Sequence, residues 1–303
     1  MRAVFKDVEK EKEFQHRGYA HVPFLSEEEI KYLWDQFHEL IIKSGGNIAS
    51  GETDIDFEGD ITYDFTFIDK NPEYKKEVFR VIDEVFKPHY NRILNNFEPI
   101  IANYIRKMPN AGEVPMHQNW AFIDEEKATS VSIWVPLVDS HRGNGALEVV
   151  PGSHKRFGKN RGPLIPWELE GIKDQIIQND LVTCDIKAGD AIVLDDSIVH
   201  YSFPNTTNQL RIAIQLILIP QEMPSLHYHR DFENNPNIIE VLEVDHEFYM
   251  QFNPWKKPAH TKRVGTIPYK EQTLSYPTFK KQLFQKRFDE PKSFLDKLKL
   301  VFS

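Results

Sequence analysis

Two hydrophobic rhythms divide the chain. In the first third, apolar positions recur at helical spacing. Ile30, Leu33, Trp34, Phe37 and Ile41 form one such stripe and predict an amphipathic helix from Glu27 to Lys43. Its start is marked by Ser26 followed three residues later by Glu29, a capping box. Upstream, Gly18 is placed to end a short charged helix, and Tyr19 to Phe24 then reads as extended. Downstream, Asn71-Pro72 is a cap followed by a first-turn proline, opening a second helix that carries Val78, Val81, Ile82, Val85 and Phe86. Between the two helices, Gly45, Gly46, Gly51 and the acidic run to Asp60 read as a loop.

From about Pro99 to Pro220 the rhythm changes to short apolar or alternating runs. These are 100–107, 116–123, 130–137, 146–150, 181–186, 191–194 and 210–219. Gly143-Asn144-Gly145, Pro151-Gly152 and Gly189-Asp190 are turn signals between them. So many short strands in one stretch predict a sandwich or barrel, with the helices packed outside. The fold class is mainly β with flanking helices. The expected organisation is a single domain over 1–303: a helical flank at 1–98, a β core at 99–220, and an extension at 221–303 laid over the core. Within that extension, Val241 to Phe252 and Tyr276 to Arg287 read as short helices.

Composition narrows the classes. The 303 residues are 40% hydrophobic and 27% charged, enough for a core without disulfide staples. A net charge of -9 argues against general nucleic-acid binding, which needs a basic face. The single cysteine, Cys184, lies in an apolar run; it excludes an internal disulfide and cysteine-based zinc ligation. No run of about 18 apolar residues is present, and Met1 to Asp7 has no apolar leader-like stretch. The expected setting is reducing and cytoplasmic, with no membrane partner and no nucleic acid, and the Asn205-Thr206-Thr207 sequon carries no weight there. Oligomeric state is not legible.

The candidate chemistry lies in the β stretch. A mononuclear iron site of two histidines and a carboxylate leaves positions open for oxygen and a chelating co-substrate. His117 and the residue two further on, Asn119, share one side of a strand if 116–123 is extended, because side chains alternate with period two. His200 sits in another apolar strand, able to face them across a barrel interior. Arg211 lies among Ile212, Ala213 and Ile214, and a charge in such a strand needs a partner. Either a carboxylate co-substrate meets it in a bidentate contact, or a protein acid does, with Asp195 and Asp196 the candidates.

These residues belong to a longer ordered set: His117-Gln118-Asn119-Trp120, Ser132 to Leu137, Asn144 to Leu147, Pro151 to Lys155, Gly189-Asp190-Ala191, His200-Tyr201-Ser202, and Arg211 eleven residues after the second histidine. Over roughly Gly18 to Pro220 the chain resembles the phytanoyl-CoA dioxygenase family of iron- and 2-oxoglutarate-dependent oxygenases. The resemblance implies a double-stranded β-helix (a cupin-like jelly roll). It implies Fe(II) as metal, with 2-oxoglutarate and O2 as co-substrates. It puts His117 and His200 on the metal together with position 119, and Arg211 on the distal carboxylate of 2-oxoglutarate. Ser202 matches a position that helps bind that carboxylate, and Trp134 an aromatic that lines the co-substrate site. Asn103 is a candidate for its other end, and His154 a structural residue in a turn. The implied activity is oxidation, most simply hydroxylation, of a small molecule with release of succinate and CO2. For the substrate pocket the candidates are Tyr63, Phe65 and Phe67, and His227 to Arg230, the latter also readable as a surface loop. No basic cluster for the phosphates of a CoA ester is evident.

The family pattern has aspartate where this chain has Asn119. Asparagine keeps an oxygen of similar reach and loses the charge. Four readings follow: the amide oxygen coordinates in a weaker site; Asp124 or Glu125 substitutes; the missing carboxylate leaves room for a halide; or the chain keeps the co-substrate pocket without turnover. Two other function classes share this scaffold, a non-catalytic 2-oxoglutarate-binding protein and a cupin-type isomerase or hydrolase with another metal.

Overall fold

A computed structural model of the chain describes residues 2–46, 63–254 and 261–285. Three helices come first. α1 (Val8–Arg17) is capped by the Asp7 side chain and closed by Gly18 in the left-handed region at φ 85°. There a Cβ would also strike the His154 ring. α2 (Glu27–Leu40) continues as a 3-10 turn over Ile41–Lys43, and the reciprocal bonds of the Ser26/Glu29 box are both present. α3 (Pro72–Ile93) starts at the Asn71 cap as its sequence dictates. Most of the acidic loop expected between α2 and α3 lies outside the described residues.

The strands form two antiparallel sheets that face each other. The larger has six strands in the order β1 (Tyr19–Pro23), β8 (Asp190–Asp195), β5 (Val131–Pro136), β10 (Arg211–Pro220), β3 (Phe97–Lys107), β2 (Tyr63–Phe65). The smaller has four, β4 (Val114–His117), β9 (His200–Ser202), β6 (Glu148–Val149) and β7 (Val182–Thr183). Period-two alternation explains what each face of the large sheet does. Ile212, Ile214, Leu216 and Leu218 of β10, with Val131, Ile133 and Val135 of β5, pack against Phe14, Leu33, Phe37, Val78, Ile82 and Phe86 of the helices. The intervening residues, among them Arg211, Gln215, Ile217, Trp134, Ile101 and Asn103, line a cavity on the inner side. Both faces are covered, so these strands read as near-continuous apolar runs. This arrangement is the expected double-stranded β-helix with helices on one face.

The C-terminal reading needs correction. β11 (Leu226–Arg230), β12 (Ile238–Glu243) and β13 (Lys262–Pro268) form a third antiparallel sheet. Residues 241–243, expected in a helix, belong to β12; after the short α4 (Lys173–Asn179) between β6 and β7, only α5 (His246–Met250) is helical there. The run from Ile238 to Phe252 is too short and too evenly apolar for its period to separate strand from helix, and pairing with β11 and β13 decides it. α6 (Tyr276–Leu283) lies within the second expected helix and seats Phe279 on the Phe157 ring. Cys184 is buried, and burial pushes its thiol up to about 12, which leaves it inert.

Candidate active site

The two imidazoles meet where β4 and β9 pair. His117 stands opposite His200 in the register, with ring centroids 4.2 Å apart. Each ring spends its Nδ1 on a backbone carbonyl two residues upstream: His117 on Pro115 at 2.7 Å and His200 on Ile198 at 3.0 Å. Such bonds fix the ring orientation and leave Nε2 for the cavity. Burial lowers both pKa values; for His200 the neighbouring His117 adds to the effect. Both rings are therefore neutral at pH 7, the form in which imidazole ligates a metal.

Asn119 lies beyond the end of β4, which stops at His117 rather than running to Ile123. The backbone here follows the Arg161 loop instead of a strand. Arg161 donates from Nε to the Asn119 carbonyl at 2.6 Å, and Ala121 N–H donates to the Arg161 carbonyl at 3.2 Å. The Asn119 side chain still lies beside His117, where it favours the protonated ring against burial. On its other side, Asn119 Nδ2 donates to Ser132 Oγ at 3.0 Å and to Asp196 Oδ1 at 2.8 Å. Burial raises the Asp196 carboxyl to about 7, opposed by its hydrogen bonds with Ser132 and Asn119. Neither proposed substitute acid reaches the imidazoles: Glu125 forms a buried ion pair with Arg161 at 2.6 Å, and Asp124 pairs with Lys127 at 2.9 Å.

Arg211 is 2% exposed and has no carboxylate partner among the described residues. Asp195 is turned to Ser197 and, at 3.9 Å, to Lys155, while Asp196 is committed to Ser132 and Asn119. The guanidinium donates from Nη2 to the Gly145 carbonyl at 2.9 Å and more weakly from Nε to Asn144 at 3.4 Å. Its Nη1 is buried without an acceptor, and the group stands 5.8 Å from the Trp134 ring centroid. Burial alone pulls its pKa down to about 9, so it stays charged at neutral pH.

A second basic side chain was not anticipated from sequence. Lys107 of β3 pairs in register with Arg211 of β10. Its Nζ donates to Ser202 Oγ at 2.5 Å, the Ser202 carbonyl at 3.1 Å and the Phe203 carbonyl at 2.6 Å. Three acceptors match the three protons of an ammonium. Burial, then Arg211, pushes it down to about 6. Ser202 Oγ in turn donates to the Gly145 carbonyl at 2.7 Å. Sequence offered one signal, a lysine at the end of a long apolar strand, which strand-end placement equally explains.

His117, Asn119, His200, Ser202, Arg211, Trp134 and Asn103 all line one cavity of about 420 Å³. Asn103 is occupied: its Oδ1 accepts from Phe67 N–H at 2.7 Å and its Nδ2 donates to Gln215 at 3.1 Å. The outer walls are aromatic, from Tyr63, Phe65, Phe67, Trp120 and Phe122. Phe67 is stacked on Phe252 with centroids 4.6 Å apart. Residues 227–230 are not part of this wall and do not form a loop; they are β11, with His227 packed on Phe248 and Phe252. His154 is buried against Gln15 and Gly18, away from the cavity.

A jelly roll with paired histidines and a buried arginine at one cavity defines a class, and solved structures share its architecture. The non-heme α-ketoglutarate-dependent carbocyclase SnoK from nogalamycin biosynthesis superposes with a TM-score of 0.51 at 18% identity, covering 72% of this chain and 86% of that one. EctD from S. alaskensis, solved with 2-oxoglutarate and 5-hydroxyectoine, gives 0.51 at 20% identity over 72% and 78%. The family model of phytanoyl-CoA dioxygenase (PhyH) matches residues 14–213, and the chain belongs to that family. A phytanoyl-CoA dioxygenase domain-containing protein 1 homolog of Dictyostelium discoideum is 32% identical over 161 residues, which is 50% of this chain and 56% of that protein. Phytanoyl-CoA dioxygenase 1 of Oryza sativa subsp. japonica is 32% identical over 41% of this chain and 45% of its own length. The chain thus spans about half the length of the curated relatives it matches.

Proposed function

We propose that this chain is an Fe(II)- and 2-oxoglutarate-dependent oxygenase that oxidises an uncharged small molecule and releases succinate and CO2. The observation that carries the reading is the buried Nη1 of Arg211, which has no acceptor and lies at the same cavity as the two neutral imidazoles. A carboxylate of the co-substrate satisfies it, and the planar guanidinium suits that partner.

The donor set fits a divalent metal. Among the described residues no three His, Cys, Asp or Glu side chains gather at one point. The side chains that would hold it are His117, His200 and, through its amide oxygen, Asn119, all of which line the same cavity. Bound Fe(II) supplies the redox chemistry that couples oxygen and co-substrate to oxidation of the substrate. The chain's own part is placement. Arg211 holds the distal carboxylate, and Ser202, oriented by Lys107, borders it. Trp134 walls the slot, and the aromatic rim keeps water from the reacting centre. Arg211 is the one charged side chain among the described residues that line the cavity, which argues for a neutral, apolar reacting group on the substrate.

The test is succinate formation from 2-oxoglutarate, with Fe(II) and O2 each omitted in turn. Turnover should need both, and Arg211→Met should raise the 2-oxoglutarate dissociation constant by ~30-fold or more, since truncating one partner of a buried charge pair costs about 2–5 kcal/mol. A competing reading is a non-catalytic 2-oxoglutarate-binding protein, favoured by the missing carboxylate at position 119. It predicts binding through Arg211 and no succinate under any condition. A metal-dependent isomerase would ignore oxygen.

A further inference from the structure

We infer that Asp196 is a positioning residue for the metal site: together with Ser132 it accepts from the Asn119 Nδ2 end and so fixes that carboxamide with its oxygen toward the imidazoles. The inference rests on the Fe(II) reading above and deepens it.

An asparagine ligand has a difficulty that aspartate lacks. The two ends of a carboxylate are equivalent, whereas a carboxamide turned over presents an NH2 group to the cation. Something must select the orientation. Here Nδ2 donates to Ser132 Oγ at 3.0 Å and to Asp196 Oδ1 at 2.8 Å. Ser132 Oγ gives its own hydrogen to Asp196 Oδ1 at 2.6 Å, so toward the amide it can only accept. Both partners are therefore acceptors, and both are buried. Turning the carboxamide over would set its oxygen against two buried acceptor oxygens, a repulsion that low local dielectric strengthens. The main chain is held as well, through Arg161 Nε on the Asn119 carbonyl at 2.6 Å. Asp196 lies in the short turn between β8 and His200, so one turn delivers both the second imidazole and the group that orients Asn119. Second-sphere partners of metal ligands commonly act in this way.

The test compares Co(II) affinity, by calorimetric titration and by the visible absorption of the bound ion, in four full-length proteins: wild type, Asp196→Leu, Asn119→Asp and the double variant. In the wild-type background, Asp196→Leu should weaken Co(II) binding by ~10-fold or more. In the Asn119→Asp background the same change should cost nothing, because a carboxylate has no wrong end. Thermal unfolding without metal checks that each protein folds. Should Asp196→Leu fail to fold, Ser132→Ala decides the same comparison, with a smaller loss expected in the wild-type background and none with Asn119→Asp. Equal losses in both backgrounds would mean that Asp196 only supports packing, and no loss in the wild-type background would mean that the amide needs no help; either overturns the inference while leaving the metal site standing. A wild-type protein that takes up no Co(II) removes the Fe(II) reading itself, and the inference with it.

Discussion

Arg211 and Lys107 put two basic side chains side by side on the inner face of one sheet, where Glu113 offsets only part of the burial and repulsion that lower Lys107. Burial chiefly, and then Arg211, holds the Lys107 amine down, and an anion beside Arg211 relieves the second of these. The sign is clear. Lys107 sits at about 6 without ligand, so it is mostly neutral at pH 7.5. A bound dianion raises that value, and the site takes up protons as 2-oxoglutarate binds. Titration calorimetry in two buffers of different ionisation enthalpy should show net proton uptake near pH 7.5, and Lys107→Met should remove it. A binding enthalpy independent of buffer would refute this coupling. At this scale legibility divides sharply. Arg211 was readable because a lone charge among isoleucines demands a partner. That its partner is neither Asp195 nor Asp196 was not, because both acids neighbour His200 in sequence and only the folded sheets turn them toward Ser132, Asn119 and Ser197.

At the scale of elements, the turn before β6 is as much part of the site as the strands. Its Gly145 carbonyl accepts from both Arg211 and Ser202. Gly145 has φ 78°, and a Cβ there would stand 2.6 Å from the Phe203 carbonyl oxygen and 2.8 Å from Lys107 Nζ. Gly145→Ala therefore meets both left-handed strain and a backbone clash. It should cost about 1–3 kcal/mol of stability, readable in urea denaturation. It should also weaken 2-oxoglutarate more than it weakens Co(II) alone, because the turn holds the arginine and not the imidazoles. Equal losses for both ligands would show that the turn merely supports the fold. Elements with local signals were readable from sequence: α2 from its capping box, α3 from Asn71-Pro72, β5 and β10 from their apolar runs. β4 came out shorter than its apolar run, because Arg161, distant in sequence, captures the backbone after His117. The β11–β13 sheet was missed because Leu226 to Arg230, rich in histidine, carries no strong strand signature until β12 lies beside it.

Across the whole molecule, buried ionisable groups set how stability follows pH, and they pull in different windows. His227 is held down at about 3 by burial and then by His229, against about 6.5 in the unfolded chain. The unfolded state thus binds more protons than the native one between these values, and stability is lost as pH falls through that window. His117 and His200 are also lowered and act in the same direction. Asp196 opposes them: its carboxyl is raised to about 7 from about 3.9, so the native state holds the extra proton and stability declines as pH rises from about 4 to about 7. Lys107 acts above that, at about 6 when folded and about 10.4 when unfolded, so stability grows with pH across this range. Four lowered histidines, His246 with the other three, outnumber the three raised acids Asp196, Glu125 and Glu168, which makes the acid side a net loss. Metal-free protein should therefore weaken steadily below pH 6.5 and strengthen again from pH 7 to 9. Urea midpoints at pH 5, 7 and 9 give the profile, and Lys107→Met should make its alkaline limb shallower, with Lys75, lowered to about 8 by burial, keeping the remainder, while leaving the acid limb in place. An alkaline limb unchanged in that variant would mean that the Lys107 ammonium is fully accommodated by Ser202 and Phe203, and that its three acceptors outweigh burial beside Arg211.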